Sequence, residues 1–553
     1  MIIANTNSGI LSETGNYSKP SVTTESTMSI IVKTSAKENP LARHLTPGVI
    51  LTSSELIARL KTEGLSEANA RQVICRHACR NGVWRSEHLR LPRGERLFTT
   101  SGYARTTDFL KAVGAKLLDT NRWGLARCLQ ALGARQALHR VDVMRLLAVS
   151  PDAINGTGKV QRRLYEKELA GLEEVGALVV QRGTPLESVI SPFHAGDTPV
   201  DQLAASAAAI VRRESLLARI LVEQLRRQNV FSWNRVELPD PEHPYTVFND
   251  QVFSSFGFSY LAPLVRWKDG SDQPTPSPIL IDSYCGLCLL SHVHSFLQRI
   301  DRATNRGRSH LPSLGVIAAR DFERDAWTHA RRHGLMTISY RQMFGDEALE
   351  AMVRIQDLLD DLANSNPTDD PEDNFERFST LLKDLKTNPV VAILRSIGFE
   401  ALAGLVLRSQ GYEGVELGRI VPWEDTKRDI DVFGFRGEGD ELRIIECKAY
   451  HKKKSVPADE VKKFFTETVP ALKKQLRVQG KHFSACKAEL WTTGPLGREA
   501  REKLHILSRP RGDTWTLLKG DDVRDLLPGA VKKRATEMLD AIAINDHSDE
   551  QEE

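Results

Sequence analysis

Lys427-Arg-Asp-Ile-Asp-Val-Phe-Gly-Phe435 is an apolar-rich run that predicts a β-strand. A second run, Glu441-Leu-Arg-Ile-Ile-Glu-Cys-Lys-Ala-Tyr450, follows the turn Gly437-Glu-Gly-Asp440, so together they predict a hairpin. Because side chains alternate between the two faces of a strand, one face receives Asp431, Glu446 and Lys448. Asp429 shares the face of Asp431. Two carboxylates beside an ammonium group are costly to gather, but they offer Mg²⁺ the oxygen ligands that it prefers.

The alternative interpretation of these residues is a solvated sheet face, because charged side chains near strand ends are common. A helix predicted upstream favours the metal site. Asn388 to Tyr412 carries apolar residues at helical spacing, and Glu400 is the single carboxylate in its apolar part. A mostly buried glutamate needs a partner or a metal ion. Downstream, Ala488-Glu-Leu-Trp-Thr-Thr493 and Thr514-Trp-Thr-Leu-Leu518 predict two further strands with a helix between them.

The order helix with Glu, strand with Asp, and strand with Glu-x-Lys resembles the PD-(D/E)xK nuclease superfamily. Within it, the resemblance is greatest to the Mrr-like restriction endonucleases, over about residues 385 to 530. Glu400, Asp431, Glu446 and Lys448 fall at the four motif positions. Asp431 follows Ile430 rather than proline, which leaves Asp429 as a rival ligand. The resemblance implies a restriction-endonuclease-like mixed sheet flanked by helices.

The resemblance also implies a chemistry for these residues. Asp431, Glu446 and the carbonyl of Cys447 are expected to hold Mg²⁺ or Mn²⁺. Glu400 is expected to orient a second metal ion or the attacking water. Lys448 lies beside two carboxylates, which raise its pKa, so we expect it to stabilise charge on the phosphate rather than act as a base.

The composition is that of a globular protein of several domains. The chain has 553 residues, of which 41% are hydrophobic and 27% charged. A net charge of +3 does not by itself indicate a nucleic-acid partner. The seven cysteines are scattered, which favours the reducing cytoplasm over a disulfide framework. No apolar run reaches the length of a membrane span, so we expect no membrane partner.

The N-terminal region predicts a DNA-binding module. Ser53 to Gly64 and Ser66 to Arg80 predict two helices, with Ser53 and Ser66 as their N-caps. Gly82 to Thr99 predicts two strands around the turn Pro92-Arg-Gly94. Two helices followed by a basic hairpin resemble a winged helix-turn-helix module, whose alternative use is protein contact. We expect arginines from the second helix and the wing to meet DNA phosphates. They are Arg71, Arg76, Arg80, Arg85, Arg90 and Arg93.

The middle of the chain predicts a second winged-helix-like module and then an α/β domain. In the latter, Pro278 to Tyr284 is a buried strand in a helix-strand alternation that echoes the nuclease domain. Asp282 would then occupy the position of Glu446, and Tyr284 that of Lys448. A phenol is neutral at pH 7 and cannot replace the ammonium group, so we expect a degenerate, catalytically silent copy of the nuclease fold. It would shape or dimerise the enzyme, because apolar residues such as Val293 would pack against the nuclease domain or a second copy of the chain.

The domain organisation that follows has seven parts. They are a disordered tail (1–45), a winged-helix domain (46–118), a second winged-helix-like domain (119–190), a degenerate nuclease-like α/β domain (195–360), an acidic linker (361–380), the nuclease domain (381–535) and an acidic tail (536–553). A basic run after the motif adds Lys452, Lys453 and Lys462 as candidate phosphate contacts.

The sequence thus predicts an α/β (α+β) protein that cleaves DNA with a divalent metal ion, in restriction or antiviral defence. Its partner would be duplex DNA, with a homodimer as a further expectation. The alternative is a non-enzymatic DNA-binding regulator whose α/β domain binds a ligand or partner. The triad containing Lys448 separates the two, because a regulator does not need it.

Overall fold

A computed structural model describes residues 39–543 except for a set of short segments. These segments are residues 79, 81, 151–158, 192–197, 233–234, 241–242, 262–264, 268–273, 307–308, 364–379, 381, 383–389, 425, 438–439, 451–454, 511 and 530–531. Most of the two predicted tails and of the acidic linker therefore lies outside the described residues.

The described chain mixes helices and strands throughout. The helices are α1 (Ser53–Thr62), α2 (Glu67–His77), α3 (Thr107–Asp119), α4 (Trp123–Arg135), α5 (Arg140–Leu147), α6 (Lys159–Glu174), α7 (Val200–Arg227), α8 (Leu290–Thr304), α9 (Arg324–Arg332), α10 (Tyr340–Phe344), α11 (Asp346–Ala363), α12 (Val391–Ser409), α13 (Ala458–Lys463), α14 (Val469–Val478), α15 (Arg498–Ile506), α16 (Gly520–Leu526) and α17 (Lys532–Ile542). A π-helical turn, Phe464–Thr468, joins α13 to α14.

The strands form two five-stranded sheets and several small ones. They are β1 (Leu51–Thr52), β2 (Val83–Arg85), β3 (Leu97–Thr100), β4 (Ala137–His139), β5 (Leu178–Val180), β6 (Ser188–Ile190), β7 (Val236–Glu237), β8 (Thr246–Phe248), β9 (Gln251–Phe253), β10 (Ser255–Ser259), β11 (Arg266–Trp267), β12 (Pro274–Thr275), β13 (Ser277–Cys288), β14 (Asn305–Arg306), β15 (Ser309–His310), β16 (Leu314–Phe322), β17 (Met336–Ser339), β18 (Glu413–Trp423), β19 (Thr426–Arg436), β20 (Glu441–Lys448), β21 (Ala485–Thr492) and β22 (Asp513–Lys519).

The first module consists of α1, α2 and a three-stranded sheet in the order β1-β3-β2. The N-cap of α1 is Thr52 rather than the expected Ser53, and Thr52 forms a reciprocal capping box with Glu55. The N-cap of α2 is Ser66, as expected. Order begins before residue 46, because a short 3₁₀ helix, Ala42–His44, lies within the expected tail. Apolar residues on either side of it are buried, which explains why this end of the tail folds.

The first module packs against the second through its hairpin loop. The Glu174 carboxylate at the end of α6 accepts hydrogen bonds from the backbone N–H groups of Glu87, His88 and Leu89. Leu89 is buried in the same hydrophobic cluster as Leu169 of α6. The base of the predicted wing is therefore held by the second module, while Arg93 at its tip is exposed.

The central and C-terminal sheets share one topology. The central sheet has the order β7-β10-β13-β16-β17, and the C-terminal sheet has the order β18-β19-β20-β21-β22. In both sheets the first two pairings are antiparallel and the last two are parallel. A long helix precedes each sheet, and helices connect its parallel strands. The expected helix-strand alternation of the central region is thus confirmed, and β13 takes the place in its sheet that β20 takes in the other.

One hydrophobic core joins the two large sheets. It contains Leu221 of α7 and Ile281 of the central sheet together with Leu402 of α12, Val432 and Ile445. The long helix α7 therefore packs on elements of both sheets. This packing places residues of the central region beside the candidate site.

The apolar face of α8 is not a free dimerisation surface. Val293 and Phe296 are fully buried in the core of the central sheet, with Phe253, Leu280 and Ile317. The expectation that Val293 packs against the nuclease domain or a second copy was wrong, because amphipathic spacing shows only that a face is covered and not by which element. No helix among the described residues has the length and apolarity that crossing a membrane requires.

Candidate active site

Helix α12 carries Glu400 next to the C-terminal sheet. Its neighbours Phe399, Ala401 and Leu402 are fully buried, so apolar packing holds the helix in place. Glu400 is half-buried among them. Burial raises the pKa of Glu400 to about 8, with Asp429 and Glu446 acting in the same direction. The positive charges of Arg219 and Lys448 oppose that rise.

The predicted hairpin is confirmed, and it places Asp431 against β20. The paired register runs from Arg436–Glu441 to Val432–Ile445, so Asp431 and Glu446 are the next residue of each strand. The Cys447 backbone N–H donates a hydrogen bond to Asp431 Oδ2 at 2.7 Å. Burial raises the pKa of Asp431 well above its ordinary value, and the nearby charges of Glu446 and Glu400 raise it further.

Glu446 and Lys448 form an ion pair on the same face of β20. Lys448 Nζ lies 2.7 Å from Glu446 Oε1 and 4.0 Å from Glu460 Oε2. Burial alone would lower the pKa of Lys448, but Glu446 and Asp431 raise it, so the side chain is an ammonium ion at neutral pH. The second oxygen, Glu446 Oε2, is buried and has no hydrogen-bond partner among the described residues. An unpaired buried carboxylate oxygen is costly and marks a place for a cation or a water molecule.

These groups fit a hard divalent cation through two carboxylates and a backbone carbonyl. Asp431 and Glu446 lie side by side, and burial raises the pKa of both although the positive charge of Lys448 opposes that rise. Within the described part of the chain, no group of three or more His, Cys, Asp or Glu side chains is arranged to hold a metal ion. The fit therefore rests on Asp431, the free oxygen of Glu446 and the main chain at Cys447, with oxygen ligands of the kind that Mg²⁺ prefers.

Arg219 reaches this region from α7, outside the hairpin and its helix. Its Nη2 lies 3.4 Å from Asp429 Oδ2. Its guanidinium rests on Gly418 of β18, where an added Cβ would come within 2.5 Å of Nη1. Sequence patterns did not reveal Arg219, because a residue some two hundred positions away from the motif carries no local signal.

The counterion of Asp429 comes from a distant helix rather than from the two basic residues that precede it. Lys427 pairs with Glu237 and Arg428 pairs with Glu467, so neither neutralises Asp429. Asp429 instead pairs with Arg219, and its side chain is 49% exposed. Asp431, in contrast, is only partly exposed and is held by a backbone hydrogen bond.

A cavity of about 190 Å³ lies between α7, α12 and β18. Glu400 and Arg219 line it together with Ser215, Ile397 and Gly418. The carboxyl of Glu400 and the guanidinium of Arg219 thus border the same space beside the hairpin. The space is large enough for ordered water next to Glu400.

The expected DNA contacts lie in two separate places. Arg76, Arg80, Arg90 and Arg93 are exposed, and Arg71 is exposed while it pairs with Glu67 on α2. Arg85 is half-buried and pairs with Glu87. On the C-terminal side, Lys462 is exposed on α13, the helix that carries Glu460 beside Lys448. Lys452 and Lys453 lie outside the described residues.

The C-terminal part of the chain matches a known protein family. Residues 394–527 match the family model Mrr_cat, described as restriction endonuclease. No curated protein and no solved structure matches the chain. The matched residues run from within α12 to the end of α16, and they include Glu400, Asp431, Glu446 and Lys448. The C-terminal part of this chain is therefore similar to restriction endonucleases.

Proposed function

We propose that the protein is a Mg²⁺-dependent endonuclease that cleaves phosphodiester bonds of duplex DNA. The observation that carries the proposal is the convergence of Asp431, Glu446 and Lys448 at one end of the hairpin, where Glu446 Oε2 is buried without a partner among the described residues. The match of the same residues to a restriction endonuclease family supports it. A role in restriction of foreign DNA is the biological setting that this similarity suggests.

Asp431, Glu446 and the Cys447 carbonyl would hold the metal ion. A divalent ion at this position supplies positive charge for the phosphate and lowers the pKa of a bound water. The hydrogen bond from the Cys447 N–H holds Asp431 in place at the strand end. Glu446 keeps one oxygen for the ion and gives the other to Lys448.

Lys448 supplies a fixed positive charge rather than a base. Its neighbours raise its pKa, so it remains protonated and can donate hydrogen bonds to a phosphate oxygen as charge develops there. Glu400, in contrast to Lys448, can exchange a proton. With a pKa of about 8 it can accept or donate a proton near neutral pH, which suits the positioning of the attacking water.

The N-terminal modules would bring the enzyme to DNA as winged-helix domains. Support comes from two helices packed on a three-stranded sheet, with exposed arginines on α2 and at the hairpin tip. Arg71, Arg76, Arg80, Arg90 and Arg93 would contact phosphates, whereas Arg85 is half-buried and pairs with Glu87. Such contacts supply affinity without sequence readout.

The central region would be a catalytically silent copy of the nuclease fold. The common sheet topology supports duplication. At the position on β13 that corresponds to the candidate site, Asp282 is fully buried and pairs with Arg299 of α8, which donates to both of its oxygens. Tyr284 also donates to Asp282, at 2.8 Å. Both oxygens of Asp282 are thus bound by the guanidinium and are not available to a metal ion.

The experiment is cleavage of supercoiled plasmid by the full chain in Mg²⁺, in Mn²⁺ and in EDTA. The proposal predicts nicked or linear product with either metal ion and none in EDTA, because both carboxylates need a divalent partner to act. Methylated and unmethylated plasmids should be compared in parallel, because the site residues do not determine which of the two DNA forms is cleaved. Retained DNA binding without cleavage under all conditions would instead support a non-enzymatic regulator.

A further inference from the structure

A second cavity lies far from the hairpin in sequence, where α4 of the N-terminal half meets α8 of the central region. Its volume is about 300 Å³, at the lower end of the range for small-molecule pockets. Residues of α3, α4, α8 and the start of α9 line it. None of them belongs to the candidate active site.

The floor of this cavity contains a guanidinium with unused donors. Arg127 is only 2% exposed, and its Nη2 donates to Gln298 Oε1 at 2.5 Å. Its Nε and Nη1 have no acceptor among the described residues. Burial lowers the pKa of Arg127 to about 10, so it is still charged at neutral pH. Ser291, 5% exposed, lines the same cavity, and its Oγ likewise finds no partner in the described part of the chain.

The mouth of the cavity offers an aromatic face. The Trp123 side chain is 45% exposed, although a large apolar ring normally packs inside. Its Nε1 already donates to Asn121 Oδ1 at 3.1 Å, so what remains free is the face of the ring. His294 lies 6.0 Å away between ring centroids, and apolar side chains such as Leu118 and Leu290 complete the wall.

The charge distribution argues against a simple anion site. Glu323 and Asp325 also line the cavity, and both are exposed. Two carboxylates at the opening repel a phosphate group and can accept hydrogen bonds from amino groups. His294 does not offset them, because burial and the nearby His329 lower its pKa below the ordinary value. The site therefore combines buried donors, a stacking surface and acidic acceptors.

We propose that this cavity binds a nucleobase, which stacks on Trp123 and directs acceptor atoms to Arg127 and Ser291. Guanine fits best, because it carries the acceptors O6 and N7 for the buried donors and N–H groups for Glu323 and Asp325. Stacking on an exposed aromatic ring is the usual way in which proteins hold a single base. The base can come from a free nucleotide or from an unpaired position in nucleic acid, and the two sources share this chemistry.

The test is calorimetric titration of the full chain with four probes in the presence of EDTA. The probes are GMP, CMP, inorganic phosphate, and a DNA duplex with one unpaired guanine, which is compared with the fully paired duplex. We expect saturable binding of GMP or a preference for the duplex with the unpaired guanine. Binding of GMP identifies a free nucleotide, and preference for the unpaired duplex alone identifies a base in nucleic acid.

Variants decide whether this cavity is responsible. Trp123→Ala should weaken the observed binding roughly tenfold. Trp327→Ala is the matched control, because Trp327 is 43% exposed on α9 but does not line the cavity, and it should change nothing. Ser291→Ala tests the floor with a small change that preserves folding.

Three results would overturn the proposal. The first is the absence of both GMP binding and any preference for the unpaired guanine. The second is binding that Trp123→Ala and Ser291→Ala leave unchanged. The third is phosphate binding as tight as that of GMP, which would make the cavity an anion site.

Discussion

Around Lys448, three carboxyl groups and one ammonium group share a partly buried space. Each carboxyl among Glu400, Asp431 and Glu446 has a pKa raised by burial, while the pKa of Lys448 is raised by its acidic neighbours. Raised carboxyl pKa values mean that the folded protein holds protons that a metal ion must displace. We therefore expect metal affinity to increase with pH through neutrality.

The first prediction separates the two aspartates of β19. Asp431→Asn should lower the single-turnover cleavage rate by more than about a hundredfold, because it removes a proposed metal ligand. Asp429→Asn should cost no more than about tenfold, because Asp429 is half exposed and contacts the site through Arg219. Quenched-flow cleavage of labelled duplex at saturating Mg²⁺ gives both rates. If Asp429→Asn is the more damaging change, Asp429 is the ligand.

Among the elements, α7 is the one that connects the central region to the candidate site. It packs in the same core as α12 and the C-terminal sheet, and it carries Arg219 to Asp429 and Glu400. Of the charges near Glu400, Arg219 does most to lower its pKa against the effect of burial. A helix outside residues 394–527 thus sets part of the electrostatics of the matched region.

Arg219→Ala should therefore shift the acidic limb of the cleavage pH profile to higher pH. The sign follows from charge: loss of a nearby cation raises the pKa of Glu400 further above about 8, so its ionised form requires more alkaline solution. The rate should approach that of the wild type at the alkaline end. Arg226→Ala is the control, since Arg226 lies two turns along the same helix and pairs with Glu223. A uniform loss at every pH would mean that Arg219 acts only in packing.

The helices and strands near the site follow from local patterns. Periodicity predicted the Glu400 helix, the hairpin and the Asp282 strand, because spacing of apolar residues decides these elements over short distances. Contacts between distant parts of the chain could not be predicted in this way. Two examples are the contact of Arg219 with Gly418 and the hydrogen bonds from the hairpin loop to Glu174, which depend on how whole elements pack. The N-cap of α1 was predicted one position too late, because Thr52 and Ser53 are neighbours and both residue types can cap a helix.

The packing of the N-terminal elements changes how the DNA-binding proposal is tested. Deletion of residues 1–118 would uncover the core that Leu89 shares with α6, so point changes are required. Arg76→Gln with Arg93→Gln should reduce the slope of log affinity against log salt by about 2, because each phosphate that an arginine neutralises adds roughly 0.9 to that slope. Filter binding of duplex DNA over a salt series measures it. The control is Arg498→Gln, which alters an exposed arginine of α15 and should leave the slope as in the wild type. If the double variant of Arg76 and Arg93 also keeps the wild-type slope, the module binds a protein partner instead.

For the whole molecule, the two sheets of the same topology differ in how their acidic side chains are paired. In the C-terminal sheet Glu446 Oε2 has no partner among the described residues, whereas in the central sheet Arg299 and Tyr284 donate hydrogen bonds to Asp282. The guanidinium of Arg299 also lies over the rings of Phe253 and Phe296. The carboxylate of Asp282 is therefore engaged by side chains of the central region itself.

Asp282→Ala should lower the free energy of unfolding by about 3–5 kcal/mol, because it leaves the buried charge of Arg299 unpaired. The double variant Asp282→Leu with Arg299→Met should recover most of that loss, as apolar replacements of buried ion pairs often do. Urea unfolding gives the stability, and plasmid cleavage by the folded double variant should stay within a few-fold of wild type. Loss of cleavage in a stable double variant would show that the central site takes part in catalysis.

The most direct test of the central claim compares two glutamates of the same strand. Glu446 and Glu441 both lie on β20, and the side chain of each is 15% exposed, but Glu441 pairs with Lys487 at the other end of the strand. The measurement is cleavage of supercoiled plasmid in Mg²⁺ by Glu446→Gln, Glu441→Gln and wild type, with DNA affinity and melting temperature recorded for each. We predict that Glu446→Gln abolishes cleavage while it binds DNA normally, and that Glu441→Gln cleaves like wild type. Undiminished cleavage by a folded Glu446→Gln variant would contradict the assignment of this site.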